Sequence, residues 1–204
     1  MDTKIKNLIF DFGGVIVDLD FSRTVNAFRA AGFFDIEEKL STIKQDKIFF
    51  QYEVGELSTK YFRRKLRKHF SSSLFDKDID YMWNAMLVGI PSYKLDLLLE
   101  LKEKYNLYLL SNTNELHWEY AQDCLFNYKD HAWNDFFKKV YLSFQMHLDK
   151  PSPEIYQEMM KDAGIKPEES LFIDDIELNC DGARQVGLNA VQYRIEDDLR
   201  KYFE

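Results

Sequence analysis

The stretch LIFDFGGVIVDLD, residues 8–20, carries the feature that decides the fold. Its apolar beginning has the composition of a buried β-strand, and the strand pattern ends at Asp11. Gly13 and Gly14 follow almost at once and give the backbone freedom to turn. In open α/β sheets, ligands bind beyond the carboxyl ends of the strands. A strand that ends on a carboxylate and is followed by such a turn therefore indicates a site at this edge of a sheet.

Four further segments have the length and the apolar face of strands in a buried parallel sheet. They are LYLLSN from Leu107, KVYLS from Lys139, SLFIDD from Ser170 and NAVQY from Asn189. Helical patterns separate the later strands, as in SPEIYQEMMKDAG, where Ser152 is an N-cap, Pro153 takes the first helical position and Gly164 ends the helix. This alternation of strand and helix predicts a doubly wound α/β sheet.

One interval breaks the alternation. About ninety residues separate the first strand from LYLLSN, far more than one crossover helix needs. The segments FSRTVNAFRAAG, IEEKLSTIKQDKIFFQYEVG, STKYFRRKLRKHF and KDIDYMWNAML have helical patterns, and no convincing strand lies among them. The sequence therefore predicts an all-helical cap over residues 21–90, inserted into a core formed by residues 1–20 and 91–204.

Composition limits the partners that the chain can have. Its 204 residues are 46% hydrophobic with a net charge of −8, which is typical of a folded acidic protein and disfavours nucleic-acid binding. Cys124 and Cys180 are too few for a disulfide framework, and no apolar run reaches the roughly 18 residues of a membrane span. The first residues lack the apolar region of a signal peptide. We expect a cytoplasmic protein without membrane contact, monomeric or weakly self-associating, that acts on a small molecule.

Reactive side chains follow four of the predicted strands. Asp11 ends the first and Ser111 the second, Lys150 lies just after the third, and Asp174 and Asp175 end the fourth. Because the carboxyl ends of parallel strands share one edge of the sheet, these side chains are expected to converge. Carboxylates are ligands for Mg²⁺, a lysine and a hydroxyl hold phosphoryl oxygens, and an aspartate attacks phosphorus to form an aspartyl-phosphate. The pattern thus predicts phosphoryl transfer.

Four segments, in this order, resemble the successive motifs of the haloacid dehalogenase-like hydrolases: FDFGGVIVDLD, LLSNTN, DKPSPEIY and FIDDIELNCDGA. Finer details are similar to the subgroup that contains α-D-glucose-1-phosphate phosphatase. The resemblance covers essentially the whole chain. It implies a Rossmann-like core of five strands with a helical cap inserted after the first, Mg²⁺ as the cofactor, and hydrolysis of a small phosphorylated metabolite such as a sugar phosphate.

The resemblance also implies a role for each residue of the site. Asp11 is the nucleophile. The implied metal ligands are the carboxylates of Asp11, Asp174 and Asp175 and the backbone carbonyl of Gly13. The implied phosphate-binding groups are Ser111, the amide of Asn112 and Lys150, and Lys150 also stabilises charge during the reaction.

Gly13 departs from the pattern of the family. Most of its phosphatases place a second Asp there, which protonates the leaving oxygen and then activates water, a contribution of roughly 10²–10⁴ in rate. Three explanations stay open: a good leaving group such as the anomeric oxygen of a sugar 1-phosphate, a substitute such as His117 or Asp18, or slow turnover. We favour the first two. The leaving-group explanation predicts a preference for sugar 1-phosphates over 6-phosphates.

Two other functions stay open beside the phosphatase. One is another hydrolase of the same family, such as a dehalogenase, which also lacks the second Asp. The acidic pair Asp174 and Asp175 counts against it, because dehalogenases do not need a metal. The other is a catalytically weak protein that binds a phosphorylated ligand. The remaining histidines, His69, His131 and His147, lack the spacing of metal ligands and are expected to be structural or surface residues.

Overall fold

Seven strands and eleven α-helices make up the structure, a computed structural model that describes residues 4–203. Residues 1–3 and 204, which belong to the predicted core, lie outside the described part. The strands are β1 (Asn7–Phe10), β2 (Asp18–Leu19), β3 (Leu87–Gly89), β4 (Asn106–Ser111), β5 (Lys139–Leu142), β6 (Ser170–Asp174) and β7 (Asn189–Gln192). The five strands predicted from the apolar segments are all confirmed, as β1, β4, β5, β6 and β7.

The helices lie between these strands and in the insertion. They are α1 (Phe21–Ala30), α2 (Ile36–Gln45), α3 (Ile48–Glu53), α4 (Thr59–Phe70), α5 (Asp76–Asn84), α6 (Ser92–Leu101), α7 (Glu115–Tyr120), α8 (Trp133–Phe136), α9 (Ser143–Met146), α10 (Pro153–Ala163) and α11 (Glu177–Gln185). Ser152 and Gly164 stand at the predicted start and end of α10, but the side chain of Ser152 makes no capping hydrogen bond. Among residues 4–203, no helix combines the length and the apolar character needed to cross a membrane.

The central sheet is parallel throughout and has the order β5-β4-β1-β6-β7. The chain adds β4 and β5 on one side of β1, and β6 and β7 on the other. The crevice beyond the carboxyl end of β1 is therefore the topological switch point of the sheet, where ligands bind in folds of this kind. The fold is the predicted Rossmann-like, doubly wound α/β sheet.

Helices cover both faces of the sheet, because successive side chains of a strand point to opposite sides. On β1, Leu8 and Phe10 pack with α6 and α7 in one apolar cluster. Ile9 lies in a second cluster, with side chains of α10 and α11. Since every residue of β1 is buried, the strand holds Asp11 at a fixed position just beyond its carboxyl end.

The helices α1 to α5 have a hydrophobic core of their own. Buried side chains from all five helices form it, and the rings of Phe28 and Phe70 stack with centroids 4.8 Å apart. Leu116 on α7, which lies outside the cap in the Rossmann-like part of the chain, packs into this cluster as well. The cap therefore rests on α7 through buried apolar contacts.

Two details of residues 21–90 differ from the sequence-based expectation. The segment 36–55 forms two helices instead of one, because Lys47 adopts a left-handed conformation with φ 56° and ends the helical run. The expectation of no strand is wrong for residues 87–89, because β3 pairs antiparallel with β2, with Leu87 opposite Leu19. Strands of two and three residues are too short to leave a periodic pattern in the sequence. This small ribbon joins the two connections between core and cap.

Candidate active site

Three of the predicted residues form a buried charged cluster beyond the sheet. The ammonium nitrogen Nζ of Lys150 lies 2.7 Å from Oδ1 of Asp11 and 2.6 Å from Oδ2 of Asp174. Lys150 and Asp174 are buried and Asp11 is 7% exposed. Asp11 comes directly after β1, and Asp174 is the last residue of the neighbouring parallel strand β6. Both side chains therefore lie at the same edge of the sheet.

The loop after β5 brings Lys150 to this cluster, and the side chain of Asn112 holds the loop in place. Asn112 Nδ2 donates to the carbonyl of Lys150 at 2.9 Å, and the amide of Lys150 donates to Asn112 Oδ1 at 2.8 Å. On the other side of the loop, a Cβ on Gly182 would lie 2.4 Å from the carbonyl oxygen of Pro151. Only glycine permits α11 to approach the loop this closely, and this packing places the loop beside β6.

Asp174 has its carboxylate oxygens fully engaged. Oδ1 accepts from the amide of Ile176 at 2.8 Å and from Asn179 Nδ2 at 3.0 Å, and Oδ2 accepts from Lys150. Asn179 is itself tied to α10, because its carbonyl accepts from the hydroxyl of Tyr156 at 2.8 Å. Asp174 is thus fixed by its neighbours and in turn fixes Lys150.

Asp175 reaches the cluster because of Gly14. A Cβ on Gly14 would lie 2.5 Å from Oδ2 of Asp175, and Gly14 has φ 81°. Asp11, Asp174 and Asp175 each place a carboxylate oxygen within 4.8 Å of the others. They are the one group of three or more acidic, histidine or cysteine ligands within residues 4–203 that is close enough to hold a metal ion.

The cluster carries an excess of negative charge. Burial raises the pKa of Asp11 to about 7; the ammonium of Lys150 opposes this rise and Asp174 adds to it. Burial and Asp174 also raise the pKa of Asp175. Burial alone would lower the pKa of Lys150, but the two carboxylates outweigh it and raise that pKa. A divalent cation among the carboxylates offsets their repulsion, and this set of hard oxygen donors fits Mg²⁺.

The segment after β4 forms a second wall of the site. Ser111, at the end of β4, is buried, and Ser111, Asn112 and Thr113 line the cavity above the sheet. The hydroxyl of Ser143 accepts from the amide of Thr113 at 3.0 Å, which ties this segment to α9. Ser111 and Asn112, two of the predicted phosphate-binding residues, therefore face one cavity with Gly13, whereas Lys150 is not part of its lining.

That cavity has a volume of about 290 Å³ and lies between the core and the cap. The core contributes Phe12, Gly13 and the residues after β4. The side chains facing them are mostly apolar and include Phe21, Phe49, Trp83, Met86 and Leu87. Glu53, at the end of α3, is the acidic residue of this wall.

His117, predicted as a possible substitute acid, lines the cavity with both ring nitrogens engaged. Asn114 Oδ1 accepts from Trp83 Nε1 and from the amide of His117, so Asn114 Nδ2 is the donor to His117 Nδ1 at 3.1 Å. The proton therefore sits on Nε2, which donates to the carbonyl of Trp83 at 3.3 Å. Burial lowers the pKa of His117 to about 4, so the ring is neutral at pH 7. A neutral ring with both nitrogens bonded is poorly suited to act as an acid.

Asp18, the other substitute weighed from the sequence, lies on β2 and accepts from Lys94 Nζ at 2.9 Å. It is absent from the lining of the cavity. His69, His131 and His147 all lie outside the carboxylate cluster, as expected. Sequence reasoning missed Glu53, Thr113 and Ser143, because their place in the site depends on contacts between distant segments; only the short polar run after β4 pointed toward Thr113.

Comparison with known proteins identifies relatives over nearly the whole chain. The family whose model matches residues 5–187 is described as haloacid dehalogenase-like hydrolase. A D-ribitol-5-phosphate phosphatase of Bacteroides thetaiotaomicron is 37% identical over 197 residues, which cover 97% of this chain and 96% of that protein.

Two solved structures agree with this result. A HAD family enzyme of Bacteroides thetaiotaomicron, in complex with magnesium and inorganic phosphate, is 44% identical with a TM-score of 0.94, and the match covers 98% of this chain and 100% of the other. A HAD-like family hydrolase of Porphyromonas gingivalis is 33% identical with a TM-score of 0.89, over 98% and 97% of the two chains. The likeness in both structures extends through core and cap.

Proposed function

The chain belongs to the haloacid dehalogenase-like hydrolase family, and on that premise we propose that it is a Mg²⁺-dependent phosphatase acting on a small phosphorylated sugar or sugar alcohol. The observation that carries the proposal is the buried contact of Lys150 with Asp11, 2.7 Å, beside two further carboxylates. Such a set of groups suits the attack of a carboxylate on phosphorus. The relatives that are a D-ribitol-5-phosphate phosphatase and an enzyme holding magnesium and phosphate support the same activity.

In this proposal Asp11, Asp175 and the carbonyl of Gly13 hold the metal. Asp174 completes the acidic cluster and keeps Lys150 in position. When bound, Mg²⁺ supplies positive charge that offsets the negative charge of the phosphoryl group and the carboxylates. We place the carbonyl of Gly13 among the ligands because the chain turns directly after Phe12, where the amide of Gly14 donates to the carbonyl of Val17 at 2.8 Å.

The reaction begins when a carboxylate oxygen of Asp11 attacks phosphorus and the bond to the leaving oxygen breaks. Lys150, Ser111 and the amide of Asn112 hold the phosphoryl oxygens as charge shifts between them. Water then attacks the phosphorus of the aspartyl-phosphate, which releases inorganic phosphate and restores the carboxylate. Because these groups are anchored before substrate binds, little reorganisation is needed during the reaction.

The position of the phosphate on the substrate is the finer part of the proposal. Gly13 offers no acid, which favours sugar 1-phosphates, since an anomeric oxygen leaves more easily than a primary alcohol. D-ribitol 5-phosphate, for which the relative from Bacteroides thetaiotaomicron is named, carries its phosphate on a primary alcohol. The preference for 1-phosphates therefore stays a prediction, and it needs a direct comparison with 5- and 6-phosphates. We also place the protein in the cytoplasm, as its two unpaired cysteines suggest.

The activity is tested with p-nitrophenyl phosphate, with Mg²⁺ and after treatment with EDTA. We expect release of phosphate that needs the metal and that disappears in Asp11→Asn. Asp130→Asn is the matched control, because Asp130 is exposed and lies in a turn. Release that persists after EDTA would contradict the metal requirement, and a wild type no faster than Asp11→Asn would favour a binding protein. Either outcome would overturn the proposal.

A panel of phosphorylated metabolites tests the substrate class. It contains sugar 1-phosphates, sugar 6-phosphates and D-ribitol 5-phosphate, each assayed at the same concentration. Faster turnover of the 1-phosphates would support the explanation based on the leaving group. Equal or reversed rates would remove its basis and require another group to act as the acid.

A further inference from the structure

Glu53 is the one acidic side chain among the described residues that line the active-site cavity. It is the last residue of α3, and it faces the cavity together with Gly13 and the segment after β4. Lys150 contacts Asp11 and Asp174 of the carboxylate cluster, whereas Glu53 belongs to the cap and lines the same cavity as Gly13 and Ser111. A carboxyl group is thus present in the cavity even though the sequence has none at residue 13.

Core residues hold the end of α3 in place. The hydroxyl of Ser143 donates to the carbonyl of Glu53 at 2.6 Å, and His147 Nδ1 donates to the carbonyl of Val54 at 2.9 Å. At Gly55, φ is 72°, and a Cβ there would lie 2.1 Å from the carbonyl oxygen of Phe144. The turn after Glu53 therefore requires glycine and lies directly on α9.

The same hydroxyl connects Glu53 to the predicted phosphate-binding segment. Ser143 accepts from the amide of Thr113 at 3.0 Å while it lies against the carbonyl of Glu53. One core residue thus fixes both the end of α3 and the segment after Ser111. The backbone of Glu53 is therefore held at a constant position relative to this segment, and the residue lines the same cavity.

The surroundings of Glu53 favour its protonated form near neutral pH. Burial raises the pKa of Glu53 to about 7, and the negative charge of Asp149 adds to the rise. The other titratable side chains at this wall are His117, which is neutral, and His147, which bonds Val54. The cap helices α2 and α4 pack on α3 through apolar and hydroxyl side chains, such as those of Ile43, Phe62 and Thr59.

We propose that Glu53 of the cap supplies the general acid and base that Gly13 cannot provide. As Asp11 attacks phosphorus, the proton of the Glu53 carboxyl moves to the leaving oxygen, so that the P–O bond breaks to give a neutral alcohol. The Glu53 carboxylate then takes a proton from the water that attacks the aspartyl-phosphate. Inorganic phosphate and the Asp11 carboxylate are released, and Glu53 is protonated again for the next turnover.

This inference rests on the proposed phosphatase activity. Substrates with different leaving groups distinguish a failure of the inference from a failure of the proposed activity. Protonation matters for an alcohol that leaves poorly and hardly at all for p-nitrophenolate, which is a stable anion. In Glu53→Gln, we expect kcat/KM, which reports the steps up to release of the leaving group, to fall about 10²-fold or more on D-ribitol 5-phosphate or on the fastest alkyl phosphate of the panel. On p-nitrophenyl phosphate it should stay within about threefold of the wild type. Glu56→Gln is the matched control, because Glu56 is exposed in the same turn.

Other outcomes overturn the inference. An equal loss of kcat/KM on both substrates would mean that Glu53 only supports the structure, and a rise in KM with an unchanged kcat would mean that it only binds substrate. A wild type that hydrolyses neither substrate would instead refute the proposed function itself. The thermal midpoint of Glu53→Gln, measured beside the wild type, confirms that the variant folds.

The pH profile gives a second readout that a structural role would not move. Because the first proton transfer needs the carboxyl form, kcat/KM of the wild type on an alkyl phosphate should fall as pH rises through about 7. In Glu53→Gln this decline should disappear. A decline that stays in the variant at the same pH would assign it to another group and overturn the inference.

Discussion

The two walls of the active-site cavity differ in polarity and charge. The core wall lies over a dense charged cluster in which Lys150 contacts both Asp11 and Asp174. The cap wall is mostly apolar, with Phe49 and Trp83 among its side chains and Glu53 as its acid. The core wall is the same for any phosphate that enters, whereas the cap wall meets the rest of the substrate. We infer that the first sets the reaction and the second sets its leaving group.

Replacing Lys150 tests the core wall and has the largest expected effect. Lys150→Met leaves two buried carboxylates without their cation, which costs about 3–5 kcal/mol of folding free energy. It also removes charge stabilisation from the reaction, so kcat should fall by roughly 10²–10³ or more. Urea denaturation and phosphatase assays measure the two effects.

Lys139→Met is the control for that substitution, because Lys139 makes an exposed ion pair with Asp162. It should change stability by less than about 1 kcal/mol and leave turnover as in the wild type. If the two variants behaved alike, the buried cluster would have no special role in the core wall.

Lowering the pH should destabilise the folded protein through protonation of His117, which bonds the carbonyl of the cap residue Trp83. Burial lowers the pKa of His117 to about 4, below its ordinary value near 6.5, so the unfolded chain takes up the proton first as the pH falls. Its contribution to stability is therefore present above pH 6.5 and is lost on the way down to pH 4, about 3 kcal/mol in total. His117→Gln should lack this part of the pH dependence in urea denaturation at pH 7 and pH 4.5. Parallel curves for both proteins would contradict the assignment.

Alanine substitutions at Gly14 and Gly32 test whether the close approach of Gly14 to Asp175 is needed for metal binding. Both have positive φ, 81° and 95°, but a Cβ would meet Asp175 only at Gly14 and nothing within 4 Å at Gly32. We expect Gly14→Ala to cost about 2–3 kcal/mol and Gly32→Ala about 1 kcal/mol. Titration with Mg²⁺ should show weaker binding for Gly14→Ala alone. Equal Mg²⁺ affinities would show that Asp175 does not need this close approach.

The smallest expected effect concerns Ser143, which links the two walls. Ser143→Ala removes the acceptor of the Thr113 amide and the donor to the Glu53 carbonyl, at a cost of about 1 kcal/mol. Hydrogen exchange of the Thr113 amide should become faster. Ser73→Ala, at an exposed loop residue, should change neither quantity. Unchanged exchange in Ser143→Ala would mean that the two walls are held together by other contacts.

The sequence alone determined the sheet and the charged wall. Each strand is a short apolar run, and Asp11, Ser111 and Asp174 stand directly at strand ends. Once the strands are parallel, such side chains must meet at one edge, so local pattern and topology suffice. The break of the helix at Lys47 and the ribbon of β2 and β3 were not predictable in this way, because a single left-handed residue and strands of two or three residues leave no periodic signal.

Only the tertiary structure decided the roles of side chains that meet across long separations. Nothing in the sequence indicates that the side chain of Asn112 holds the backbone of Lys150, or that His117 is neutral and bonded at both nitrogens. Glu53 lies some forty residues beyond Gly13 along the chain, yet the docking of the cap on Ser143 brings both to one cavity. The reason is physical: the end of a strand is a local property, whereas burial and its effect on a pKa arise only when distant segments pack together.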